Sequence, residues 1–152
     1  MHSAMLATGE PRAGEDARRA LTLDADDLAS DYSAALEDSS VDAKTREASL
    51  MFSVAEEHVL DGEGEEGSQR ATEALTLFRQ MGDSKGEQDS LRLLHNAYRL
   101  QGKLDYAMEQ ASAELAKFKG KDKRGEASML FTIGDVALAK SQHAEAIKSF
   151  QE

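Results

Sequence analysis

From residue 43 onward the apolar positions recur at intervals of three and four, the mark of helices with one buried stripe. Leu91, Leu94, Ala97 and Tyr98 trace one such stripe, and Ala107, Met108, Ala111, Leu115 and Phe118 trace the next. Gly102 divides them, because glycine enters the left-handed conformation without a Cβ clash and so ends a helix. Ser84 and Glu87 have the spacing of a capping box at the start of the first of these helices. Upstream, the pattern predicts a helix over 43–60, a turn through 61–64 and a second helix to about Gln80. Downstream, Leu130, Ile133 and Ala137 predict another helix, a turn at 140–143 and a further helix from Ala144, with Ile147 and Phe150 at an unfinished end. Leu28, Tyr32, Ala35 and Leu36 extend helical spacing back before residue 43, whereas residues 1–14, with two glycines and Pro11, read as a mobile tail.

The helical segments repeat. Asp83-Ser-Lys-Gly-Glu87 recurs 39 residues later as Asp122-Lys-Arg-Gly-Glu126. Arg46-Glu-Ala-Ser-Leu-Met-Phe52 recurs 79 residues later as Gly125-Glu-Ala-Ser-Met-Leu-Phe131. Gly62 precedes Gly102 by 40 residues, with Ser141 a further 39 on, and Phe78 precedes Phe118 by 40. The register gives three copies, 43–82, 83–121 and an incomplete 122–152, with a degenerate copy or capping helix over 15–42. Each copy is a pair of helices, so the expected fold is all-α.

Composition agrees. Good helix formers dominate, the only proline is Pro11, and no apolar run reaches the roughly 18 residues of a membrane span. The first residues lack an apolar core long enough for a secretory signal, and cysteine is absent, which excludes disulfides and thiolate metal sites and fits a reducing compartment such as the cytoplasm. Net charge is −11, all of it within residues 1–80. An acidic surface repels phosphate, so nucleic acid and anionic membranes are poor partners and a basic or neutral protein is a better one.

Chemistry is hard to place. No two of the four histidines lie three or four residues apart, so no helix presents a histidine metal pair. There is no phosphate-cradling Gly-Lys-Ser/Thr loop, and the acidic, glycine-rich 61–67 segment lacks the ligand spacing of a calcium loop and reads as a polar turn. No enzyme constellation emerges, and neither a cofactor nor a metal is expected. The basic run at Lys117, Lys119, Lys121, Lys123 and Arg124 reads as helix-terminal charge or as a contact for an acidic partner.

These residues resemble the tetratricopeptide repeat family in its long, forty-residue form. The resemblance rests on a large apolar residue early in the first helix (Met51, Leu91, Leu130) and an apolar-small pair after it (Val54-Ala55, Leu94-His95, Ile133-Gly134). A turn residue follows (Gly62, Gly102, Ser141), then a small residue in the second helix (Gly67, Ala107, Ala146). His95 stands where the family prefers glycine or alanine, and Ser141 replaces the turn glycine. The resemblance implies a right-handed α-solenoid of antiparallel helix hairpins whose first helices line a concave face that binds protein segments. It also implies that Gly134 sits at a tight helix contact.

On that face the rows would be Phe52, Arg92 and Phe131, then Glu56, Asn96 and Asp135, then Val59, Arg99 and Leu138. Phe52, Glu56, Arg92, Asn96, Arg99, Phe131 and Asp135 are the candidate partner-binding residues, since aromatic and Arg side chains carry contact energy disproportionately. The expected role is a protein-interaction scaffold or adaptor holding a partner protein or peptide. The alternative is a structural subunit of a larger complex, with self-association or a covering chain at the C-terminal end.

Overall fold

The computed structural model describes residues 25–151. Among them six helices take up 86% of the positions and no strand occurs, which makes the chain all-α. They are α1 (Ala25–Glu37), α2 (Ala43–Leu60), α3 (Gly64–Met81), α4 (Ser84–Leu100), α5 (Leu104–Phe118) and α6 (Lys123–Gln151). The tail predicted for 1–14, and the degenerate copy as far as residue 24, lie outside the described residues.

Consecutive helices pack on one another, and α2, α4 and α6 also pack in sequence, α2 against α4 and α4 against α6. Their starts share one device. Asp42, Asp83 and Asp122 each turn a carboxylate onto the backbone N–H three residues on, at Thr45 (2.9 Å), Gly86 (2.9 Å) and Gly125 (3.0 Å). Each such cap satisfies one of the orphan donors of a helix N-terminus. The cap of α4 is therefore Asp83 and not Ser84, which is already the first helical residue.

The glycine of the repeated Asp-x-x-Gly-Glu sequence has a second task. Phe78, at the end of α3, lies against the face of α4 where Gly86 leaves room, and a Cβ there would collide with the ring. Phe118, at the end of α5, meets Gly125 in the same way, with a Cβ placed 2.7 Å from the ring. Each repeat junction is thus a phenylalanine seated on a glycine. Around these rings Phe52, Leu91, Leu94, Met129, Ala97 and Tyr32 complete one core. Gly67 and Ala107, the small residues expected in the second helices, are both buried.

One predicted turn is missing. The helix starting at Lys123 runs without a break through 140–143 to Gln151. Gly62 and Gly102 hold φ of 80° and 72° at the ends of α2 and α4, a left-handed conformation that costs other residues a Cβ clash. Ser141 occupies the matching place and stays helical. The apolar face of α6 also differs from expectation. Its buried stripe is Gly125, Met129, Thr132 and Val136, whereas Leu130 and Ala137 are exposed and Ile133 is half-buried. Gly134 is exposed and a Cβ there would meet nothing within 4 Å, so the expected tight contact does not form. The second helix that would have covered it continues outward instead.

The two kinds of glycine give opposite expectations. Gly86→Ala gains about 1 kcal/mol of helix propensity but must displace the Phe78 ring, and overpacking of about 1–3 kcal/mol wins. Urea denaturation should show that variant destabilised. Gly134→Ala, with open space around it, should be stabilised by about 0.5–1 kcal/mol. A Gly86→Ala variant more stable than the parent would refute the phenylalanine–glycine junction.

Candidate interaction surface and the polar network behind it

Asp89, on the inner face of α4, is 3% exposed and yet takes three donors from three directions. The Tyr32 hydroxyl of α1 donates at 2.7 Å, Arg124 of α6 at 2.9 Å, and Lys85, one turn back on α4, at 3.3 Å. Gln88 extends the network: its carbonyl accepts from Arg124 at 2.6 Å and its amide donates to the Asp122 carboxylate. Lys85 reaches on to Asp31 at 3.0 Å and lies over the Tyr32 ring, 5.1 Å from its centroid. Burial, reinforced by the Asp89 carboxylate, holds the Tyr32 phenol far above its usual range, so it stays a donor. The basic run at 117–124 therefore resolves into internal partners at two positions, with Lys117 on Glu114 (3.0 Å) and Arg124 on Asp89.

Tyr32 also changes the expected binding rows. Its ring lies 4.0 Å from that of Phe52, centroid to centroid, and 5.6 Å from that of Phe78. Phe52 is consequently 1% exposed, a core residue and not a contact residue. Glu56 and Asn96 are buried as well, and Asn96 accepts from Arg99 at 3.2 Å. Val59, in the third row, is fully buried. The stripe on α2 and the middle of that on α4 are interior because neighbouring helices cover them. Equal spacing places residues on one face, but it does not say what lies over that face.

What remains accessible is the junction of α4 and α6. Arg92 is half-buried with its guanidinium over the Phe131 ring, 4.5 Å from the centroid. Phe131 is 45% exposed. Arg99, two turns beyond Arg92, pairs at 3.7 Å with Asp135, one turn beyond Phe131, both partly buried. Burial pulls the Arg99 guanidinium below its usual range, opposed by Asp135 and assisted by the nearby charge of Arg92. Leu138 follows, exposed. Of the seven candidate residues, Arg92, Arg99, Phe131 and Asp135 are brought together on one accessible surface, and Phe52, Glu56 and Asn96 are not part of it. Sequence reasoning placed Tyr32 on a helical stripe but missed the bond of its hydroxyl to Asp89, and it missed Gln88 altogether, because a polar partner on another helix leaves no periodic signal.

His95 stands in a small-residue site and is 1% exposed. Its Nδ1 bonds to the Leu91 carbonyl, which makes that nitrogen the donor, and its Nε2 meets no hydrogen-bond partner. Among the described residues, no group of His, Asp or Glu is arranged to hold a metal ion, and no helix is long and apolar enough to cross a membrane. No family model, no curated protein and no solved structure matches this chain.

Two stability measurements probe the interior. Asp89→Ala strips charge-assisted bonds from Tyr32 and Arg124 and should cost about 2–3 kcal/mol. Asp31→Ala, which removes only an exposed partner of Lys85, should cost less than about 1 kcal/mol. Equal effects would deny Asp89 its central place. For His95, burial lowers the folded-state pKa below the ordinary value, against the Leu91 hydrogen bond and Glu114. The unfolded chain therefore takes up the proton first as pH falls through about 6.5, and the stability present above that value is lost on acidification. Urea midpoints measured from about pH 7.5 to 5.5 should fall for the parent and less steeply for His95→Ala. Parallel slopes would show that His95 is not the titrating group.

Proposed function

We propose that this protein is a scaffold that holds a segment of another protein, and that the α4–α6 junction is where the segment lies. The observation carrying this reading is the Arg92–Phe131 stack, an aromatic ring left 45% exposed with a guanidinium over its face. It sits on two packed helices whose positions are fixed behind it by Asp89 and Arg124. Aromatic and Arg side chains dominate the energetics of interfaces, and rigid presentation lowers the entropic cost of binding. Helix pairs repeating at about forty residues, with α2, α4 and α6 packed in sequence, support a tetratricopeptide-like solenoid. In that arrangement the junction lies on the concave side. A partner with an apolar residue for Phe131 and a carboxylate beside the Arg92 guanidinium suits the chemistry. Asp135, beside Arg99 at the junction, favours a segment of mixed charge over a uniformly acidic one.

The test begins with co-purification of the partner. The Arg92→Ala/Phe131→Ala double variant should then weaken binding by about 2 kcal/mol or more, roughly thirtyfold. The exposed Glu109→Ala on α5 should leave binding unchanged, with helicity intact in both. Full-strength binding by the double variant and loss in Glu109→Ala would replace the junction with the structural-subunit reading.

A further inference from the structure

The second and third repeats carry the same positions in different surroundings. In the second, Leu91 is 2% exposed and His95 1%. Tyr98 meets Tyr106 of α5 edge-on at 5.0 Å, so α5 folds back over α4. The corresponding positions of α6, 39 residues later, are Leu130, Gly134 and Ala137. Leu130 is 52% exposed, and the other two are exposed as well.

The residues that would cover them are present in the same helix. Leu104, Met108 and Ala111 of α5 correspond to His143, Ile147 and Phe150. Met108 is half-buried and Ala111 buried, whereas Ile147 is 47% exposed and Phe150 91%. The chain thus encodes both faces of a third hairpin and leaves both open, because α6 runs straight through Ser141. Lys140 ties the start of this extension to Asp105 at 2.7 Å, so the helix passes the beginning of α5 and continues beyond it.

We propose that a second copy of this chain closes the hairpin, by exchange of the far half of α6. Two such helices, each of 29 residues and about 43 Å long, crossing antiparallel near Ser141, set Ile147 of one copy beside Gly134 of the other. The open space around Gly134 accepts the side chain, and Leu130 and Ala137 flank it. The occupant is a second copy because the repeat register matches residues 143–150 to this stripe, and the straight helix carries them away from their own. Exchange of an element between identical chains needs no new surface, since it reuses contacts the fold already encodes. The Leu130–Gly134–Ala137 stripe is separate from the Phe131–Asp135–Leu138 stripe, so exchange leaves the Arg92–Phe131 junction open and stands independently of partner binding.

The test uses the 152-residue chain, which has no native cysteine. Sedimentation equilibrium should show the mass rising with concentration from one chain to two. The Leu130→Lys variant, changed at an exposed position, should raise the dissociation constant by about tenfold or more, with helicity unchanged. Ser141→Gly, which restores the turn residue of the other repeats, should shift the chain toward monomer. Oxidation of a Gly134→Cys/Ile147→Cys variant should give a covalent dimer on a non-reducing gel. Any of three results would overturn the proposal: a monomer whose cysteines join within one chain, a monomer whose cysteines do not join at all, or a dimer indifferent to Leu130→Lys.

Discussion

A carboxylate at 3% exposure can exist only if its neighbours replace the water it has lost, and the placement of Asp89 constrains three helices at once. It needs the Tyr32 hydroxyl from α1 and the Arg124 guanidinium from α6, so α1 and α6 must approach α4 at the one height where both reach it. Lys85 helps from within α4, and Gln88 holds the second nitrogen of Arg124 while donating to the Asp122 cap. A buried ion pair of this kind adds modest net stability, because desolvation offsets much of the attraction. Its larger effect is on register: a slide of α1 or α6 by one turn would strand the charge, whereas a purely apolar contact would tolerate it.

The apolar contribution comes from the Phe78–Gly86 and Phe118–Gly125 junctions. Here the repeat is visible in the sequence for a physical reason. The Asp-x-x-Gly-Glu string recurs because the aspartate caps a helix and the glycine receives the ring of the preceding one, two demands met within four residues. The phenylalanines recur at the same interval because they are the other half of that contact. The pattern located α2 through α5 with their turns, since each boundary carries its own local chemistry: an aspartate cap, or a left-handed glycine at 62, 82, 102 or 120.

The candidate surface was less legible, and the residues show why. Phe52, Arg92 and Phe131 are equivalent in the repeat and occupy three environments: 1% exposed under Tyr32, half-buried over an aromatic ring, and 45% exposed at the last described helix. Helical spacing fixes the direction in which a side chain leaves its own helix. The covering groups come from elsewhere, and the one that buries Phe52 belongs to α1, a helix outside the clear repeats. Arg124 misled in the opposite sense, for Lys119, Lys121 and Lys123 in the basic run are exposed while Arg124 reaches the buried carboxylate of Asp89.

Ser141 marks the limit of reading by repeat. The sequence around it matches the other copies closely enough to predict a hairpin, yet the turn in those copies rests on one backbone conformation that glycine adopts readily and serine does not. With serine there, ending the helix costs more than extending it, unless closing the hairpin buries enough apolar surface to compensate. The facing groups are Leu130, Gly134 and Ala137 on one side and Ile147 and Phe150 on the other. Gly134 adds almost no apolar area, and Ala137 little. In the second copy His95 and Tyr98 fill those places, and α5 closes over them behind a glycine turn. The third hairpin therefore combines a poorer turn with a thinner contact, and both changes push the balance toward one continuous helix. The same thinness leaves the facing stripe shallow and open, which is the shape a helix from another molecule can enter.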